Sequence, residues 1–278
     1  MVSRLSLLRD TYLYYLKNYY RSRSFYLMFF MAVVVSLLLT YLSFKYLNDL
    51  AKFATNLSFI ISGPTSKERI LAYLWSFVLS TFPAFAAVFF GSPSISSEIE
   101  TKTALHVFTL PIPRIILLIG KFLSSVTVTS AIVLTYTIFE VIVFQYLFNV
   151  LIIELLYSFL LTLMFVLAFS SVTFLISSLF NKNTYAYITA LITYLLVFNA
   201  ATIIIELLYS VTPYYLLNNA ASITSRVYIN IFFGITLSGG STSPAPFSLI
   251  AYTSIVMFLY FIISFGITAV IFERKEVK

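Results

Sequence analysis

Residues 92–114 read SPSISSEIETKTALHVFTLPIPR and run directly into IILLIGKF at 115–122. Long apolar stretches stand on both sides of this island, so it is a polar turn between two helices of a different solvent. The rest of the chain agrees. Of 278 residues, 60% are hydrophobic and only 10% charged, with a mean hydropathy of +0.98. A water-soluble domain carries about 25% charged residues. The chain reads as an all-α integral membrane protein with one membrane domain over 1–278. Its first apolar run is too long for a secretory leader and is followed by others like it.

A helix needs about 20 mostly apolar residues to cross the hydrocarbon. Six stretches qualify: 24–46, 70–90, 115–148, 152–180, 184–209 and 247–272. The third and fourth are long enough to tilt or project, and the short link at 149–151 makes them an antiparallel hairpin. Cytoplasmic loops are enriched in Lys and Arg. With both termini inside the cell, Arg4, Arg9, Lys17, Arg21, Arg23, Lys102, Arg114, Lys121, Lys182, Arg274, Lys275 and Lys278 fall inside. Only Lys45, Lys52, Lys67, Arg69 and Arg226 fall outside. The net charge of +7 is therefore orientation and headgroup charge, and not a nucleic-acid surface.

Before the first span, residues 1–23 form an amphipathic interfacial helix. Leu5, Leu8, Tyr12, Tyr15, Leu16 and Tyr19 fall on one face, and Ser6, Asp10, Lys17 and Arg21 on the other. Residues 211–246 form a long outer loop broken by Pro213, Gly234, Gly239, Gly240, Pro244 and Pro246. Its apolar piece 227–237 is too short to span and suits either a re-entrant or interfacial element capping the outer mouth or a loop lying on the membrane.

Within the island, Ser97 and Glu100 have the S-x-x-E spacing of a capping box. They predict a helix over about 98–109, stopped by Pro111 and Pro113. Such a helix would be a stiff rod tied to the span that starts at 115, with Lys121 snorkelling to the headgroups.

Three runs in this region, Glu98–Ile99–Glu100–Thr101–Lys102–Thr103, Leu110–Pro111–Ile112–Pro113–Arg114 and Gly120–Lys121, resemble the second cytoplasmic segment of ABC-2 type permeases. These are the six-span membrane subunits of ATP-binding cassette exporters. Lys102 stands where that family frequently has glycine. The resemblance implies that 92–114 is a coupling segment docking on a separate cytosolic ABC ATPase. Two permeases and two ATPases then form the working unit in the cell membrane. Glu98, Glu100, Thr103 and His106 would be the exposed contact face, with Leu105, Val107 and Leu110 packing behind it. Pro111 and Arg114 would set the turn into the membrane. ATP and Mg2+ would be bound by the partner, since no G-x-x-x-x-G-K-[ST] phosphate loop occurs here. The run Leu237–Ser241 only mimics the start of an ATPase signature, and in the outer loop it reads as a turn.

With no cysteine and a single histidine, His106, thiol and histidine-cluster chemistry are excluded, and the chain reads as a non-enzyme. Ionisable residues at membrane depth point to function. Glu140 and Glu206 are therefore candidates for a translocation pathway. Ser170, Thr173 and Ser177 share a face of the fourth span, as Ser124, Thr127 and Ala131 do on the third. Small hydroxylated faces pack membrane helices closely, and for both sets packing or dimerisation is preferred over substrate contact, with Ser170, Thr173 and Ser177 kept as candidates for the translocation pathway. The resulting expectation is an outward-moving permease driven by a partner ATPase. Its rivals are a membrane anchor that recruits a cytosolic partner without transport, and an intramembrane enzyme. No clustered polar set in the sequence favours the enzyme.

Overall fold

The computed structural model describes residues 4–57, 67–103, 112–149, 152–229 and 244–275. Every regular element among them is helical. The N-terminal helix α1 is Arg4–Tyr20, followed by α2 at Arg23–Leu57, α3 at Lys67–Gly91 and α4 at Pro93–Glu100. Next come α5 at Arg114–Phe148, α6 at Ile153–Leu179 and α7 at Asn183–Tyr209. Two short helices, α8 at Leu217–Ala221 and α9 at Ile223–Arg226, precede the last, α10 at Phe247–Arg274.

Six helices are long and apolar enough to cross a membrane, at the six expected places. The architecture is an all-α membrane bundle. Helix is the only open-ended answer for such sequences, because lipid offers the backbone no hydrogen bonds. Hydroxyls inside the spans are satisfied locally: Ser36, Thr40, Thr129 and Thr137 each donate to the carbonyl four residues earlier.

The second and fourth spans form the centre, with 67% of their apolar windows buried. The fifth and first lie at the periphery, with 11% and 22%. Span six runs along span four, and span two packs on spans three and four. Helix α1 and the last turn of α10 lie on one face of the bundle, called the near face below. The outer-loop helices α8 and α9 lie at the opposite, far face. Span five carries one wide turn at Thr193–Phe198, and Tyr194 donates its hydroxyl from there to the Ser80 carbonyl at 3.1 Å.

Three expectations are corrected. The N-terminal helix does not rest on its predicted face alone: Leu5 is 79% exposed, and Thr11 is buried instead. Gly120 is the reason. A Cβ there would lie 2.7 Å from Thr11 Cγ2, so the helix seats on span three at a contact that admits no side chain. Ser124 donates to the Tyr12 carbonyl at 2.8 Å, and Tyr12 donates to Thr127 Oγ1 at 3.2 Å. The small hydroxylated face of span three thus holds α1.

The second correction is to the polar island. No capping box forms at Ser97 and Glu100. Helix α4 begins at Pro93, where a missing N–H costs nothing. The Ser92 N–H still donates to the Val88 carbonyl at 3.1 Å. Residues 93–100 therefore continue span two. Ser97 lies mid-helix with its hydroxyl on the Pro93 carbonyl, and Glu100 is the last helical residue. Lys102 then turns the chain with φ = 57°. Residues 104–109 of the predicted 98–109 helix, His106 among them, and Leu110 and Pro111 after it lie outside the described residues. An L side chain in the left-handed region costs about 1–2 kcal/mol, a cost glycine avoids. Lys102→Gly should accordingly raise stability by about 1 kcal/mol, read as a higher unfolding midpoint in detergent. A lower midpoint would show that the lysine side chain is needed there.

The third correction is to Lys121. It does not snorkel: its side chain is 0% exposed. Of the outer loop, 211–229 and 244–246 are described. Leu217, Ala220, Ala221 and Ile223–Ile229 are buried in the bundle, and the Ala245 N–H closes on the Arg226 carbonyl at 3.0 Å.

Candidate functional site

The near face is organised around Lys121. Because Gly120 draws α1 onto span three, Tyr15 covers the lysine, and its ammonium must find partners inside the protein. It pairs with the Glu98 carboxylate, in a contact the geometry makes very close. It also donates to the Ser94 carbonyl at 3.1 Å. The rings of Tyr15 and Phe272 lie 5.1 and 5.8 Å away, within cation–π range. Tyr15 donates its hydroxyl to Glu98 Oε1 at 3.0 Å. Burial first, and then the Glu98 charge, push the Tyr15 phenol above its ordinary range. One ion pair thus joins α1, the end of span two, span three and span six.

Span four enters through Ser177. Its hydroxyl donates to the Ser92 carbonyl at 2.6 Å and accepts the N–H groups of Ile95 and Ser96 at 3.1 and 3.0 Å. The first turn of a helix leaves such N–H groups without partners, and Ser177 caps α4 from another helix. Gly91 makes this approach possible: a Cβ there would lie 1.9 Å from Thr173 Oγ1. Span five enters through Glu100, which accepts the Asn183 N–H at 2.9 Å, an acid at a helix N-terminus. Arg114 donates to the Glu273 and Lys275 carbonyls at 2.8 and 3.2 Å, and Lys275 donates to the Ser178 carbonyl at 2.6 Å. Five spans and α1 are tied at one level.

A cavity of about 310 Å3 opens beside this knot, lined among others by Asn18, Tyr19, Glu98, Asn183 and Tyr187.

The candidate residues divide accordingly. Glu98 is corrected as an exposed contact: its side chain is 17% exposed and is spent on Lys121 and Tyr15. Glu100 and Thr103 are exposed. Arg114 faces the end of span six. Ser170, Thr173 and Ser177 are fully buried, Thr173 and Ser177 against the end of span two.

A second polar cluster lies toward the far face. Ser76 donates to Glu140 Oε1 at 3.4 Å, Ser158 donates to the Thr224 carbonyl at 2.9 Å, and Ser158 Oγ lies 3.2 Å from Ser76 Oγ. Tyr136 donates to the Trp75 carbonyl at 2.7 Å, and Trp75 Nε1 to Ser43 Oγ at 3.0 Å. Glu140 is 1% exposed. It is sealed between spans and does not line an open cavity in this conformation. Glu206 is 3% exposed, with Oε1 lacking a hydrogen-bond partner among the described residues and the Arg226 charge acting on it. It does not meet Glu140 in one site.

Sequence reasoning missed Ser76, Ser158, Tyr228 and the capping role of Ser177. Small hydroxyls in apolar helices carry no spacing that says which neighbour they will meet. Gly91 and Gly120 were the available signals, each marking a close helix contact.

A family model described as ABC-2 family transporter protein matches residues 16–277. Comparison with curated proteins finds no match.

Proposed function

The chain belongs to the ABC-2 transporter family and is a permease component of an ABC transporter, and we propose that it moves its substrate outward, powered by a separate cytosolic ABC ATPase. The observation that carries this reading is the near-face knot. The family-like segment is clamped by Glu98, Lys121 and Ser177 to the ends of several spans, so a displacement there has stiff routes into the bundle. The excess of Lys and Arg at this end supports the near face as cytoplasmic, with both termini inside and the protein in the cell membrane.

On this reading the ATPase grips Glu100 and Thr103, which are exposed, together with the segment that carries His106, Leu110 and Pro111. Glu98 and Arg114 are internal tethers that pass the motion on. The partner binds ATP and Mg2+ and performs the hydrolysis, and this chain carries no covalent chemistry. A second permease copy completes the pathway. Closure of the ATPases draws the near ends together and parts the far ends, a rigid-body alternation. Glu140 and Glu206, sealed here, would be uncovered on the pathway in the other state, while Ser170, Thr173 and Ser177 hold span four to span two throughout.

Reconstitution of the chain with its ATPase tests the coupling. Glu100→Ala together with Thr103→Arg should lower substrate-coupled ATP hydrolysis at least about fivefold, the size of one lost interface anchor, while the permease stays folded and membrane-inserted. Unaltered hydrolysis in the assembled complex would contradict the docking role.

A further inference from the structure

We propose that the cavity of about 310 Å3 beside the Lys121 knot holds the headgroup of one phospholipid of the near-face leaflet. That headgroup carries a primary ammonium, as ethanolamine does. The cavity is walled by the α1–α2 junction at Ser22 and Ser24, the end of span two at Phe89 and Phe90, α4, and the start of span five at Asn183 and Tyr187. Spans begin or end on three of its sides, so it stands at headgroup level. Spans one and five, which flank it, are the two least buried in the bundle, and a lipid reaches it between them. Its volume is that of about ten waters at ~30 Å3 each, enough for a headgroup.

The lining selects the headgroup. Tyr15 donates its hydroxyl to Glu98 Oε1, and Tyr19 and Tyr187 donate theirs to the Phe90 and Phe89 carbonyls, all at 3.0 Å. Ser22, Ser94 and Ser97 donate to carbonyls three or four residues earlier. These protons are spent on the protein, and the hydroxyl oxygens keep lone pairs. The Glu98 carboxylate has about four lone-pair sites. Tyr15 and Lys121 take two of them, and Glu98 also lines the cavity. Glu100, bonded to the Asn183 N–H, adds negative charge that Lys121 does not offset.

Acceptors between aromatic walls suit a cation. Aromatic walls alone would hold choline equally well. Lone pairs need N–H donors, which a primary ammonium has and a quaternary nitrogen lacks. Donors stand at the rim: Asn18 is exposed, and so are Lys17, Arg21, Arg23 and Lys182 next to lining residues. A phosphate belongs there. A headgroup held this way ties α1 to α4 and span five, and makes the seat of α1 depend on lipid composition.

The full chain, delipidated in detergent, is titrated with short-chain phosphatidylethanolamine, its N-methyl and N,N-dimethyl forms, and phosphatidylcholine. Native mass spectrometry counts the bound lipid. One ethanolamine lipid should bind about tenfold tighter than the choline lipid, the effect of losing charge-assisted hydrogen bonds, with the methylated forms graded between. Glu98→Gln should bring ethanolamine binding down to the choline level. Because that change also breaks the Lys121 pair, Tyr187→Phe is the second variant. It removes one lone-pair oxygen and should lower the preference about threefold, with choline binding unchanged. Equal binding of the two lipids, or a preference that both variants retain, would overturn the site. Displacement of the lipid by soluble phosphoethanolamine at equal concentration would overturn the leaflet as the source of the headgroup.

Discussion

Glu98→Gln should cost about 3–5 kcal/mol of stability, the range for removing one partner of a buried ion pair. Lys121, with a side chain 0% exposed, would lose its counter-charge and be left with neutral partners, the Ser94 carbonyl and two aromatic faces among them. The loss should appear as a lowered unfolding midpoint and as detachment of α1, because Tyr15 loses its charged acceptor in the same change. Adding Lys121→Met to this variant should restore most of the stability. Neutralising both members of a buried pair is often nearly without cost, whereas orphaning one is not. A double variant as unstable as the single one would show that the pair is incidental and that packing alone sets this corner. The same double variant is informative in the transporter. It keeps the fold but removes the link between α4 and span three, so ATP hydrolysis should proceed with less transport per turnover.

Gly91→Ala should be the most damaging of the glycine-to-alanine changes at the described glycines. The new Cβ would stand 1.9 Å from Thr173 Oγ1 and 2.9 Å from Thr173 Cβ. Thr173 is β-branched and its hydroxyl is already bonded to the Ser170 carbonyl at 2.8 Å, so it has few other positions. Overpacking of this kind costs about 1–3 kcal/mol. Here it also moves Ser177 off the first turn of α4. Thr173→Ala on the Gly91→Ala background should recover part of the loss, a favourable coupling between neighbours. It would also distinguish steric crowding from an intrinsic demand for glycine at 91. Equal stability of Gly91→Ala and the unmodified chain would contradict the contact. By contrast Gly266 has open space around it, and Gly266→Ala should be silent or slightly stabilising.

What the sequence made legible follows from the length scale of the signal. Span existence is written over about 20 residues each, and all six appear where apolar runs stand. The expected 152–180 and observed Ile153–Leu179 differ by one residue at each end. The orientation of α1 was half right. Tyr15 and Leu16 face inward as their spacing implies, but Leu5 does not, since the seat is fixed by Gly120 on another helix. In the island the expected helix start was misplaced. Ser97 and Glu100 have the right spacing for a cap, yet Pro93 is an equally good helix start and lies earlier, so the helix joins span two. Glu98 looked exposed because it is charged. Its partner, 23 residues away in an apolar span, is visible only once Gly120 and Tyr15 are seen to close over Lys121.

The most direct test of the coupling account uses a property of the chain itself. It contains no cysteine, so a single cysteine can be placed without a background. Thr103→Cys lies on the exposed near face, and Tyr215→Cys on the exposed far face. Each is expressed in native membranes, treated with a short thiol-to-amine cross-linker, and its adduct is sequenced. The account predicts that Thr103→Cys captures a polypeptide carrying a G-x-x-x-x-G-K-[ST] phosphate-binding loop and that Tyr215→Cys does not. No such adduct from Thr103→Cys, or the same adduct from both positions, would contradict it.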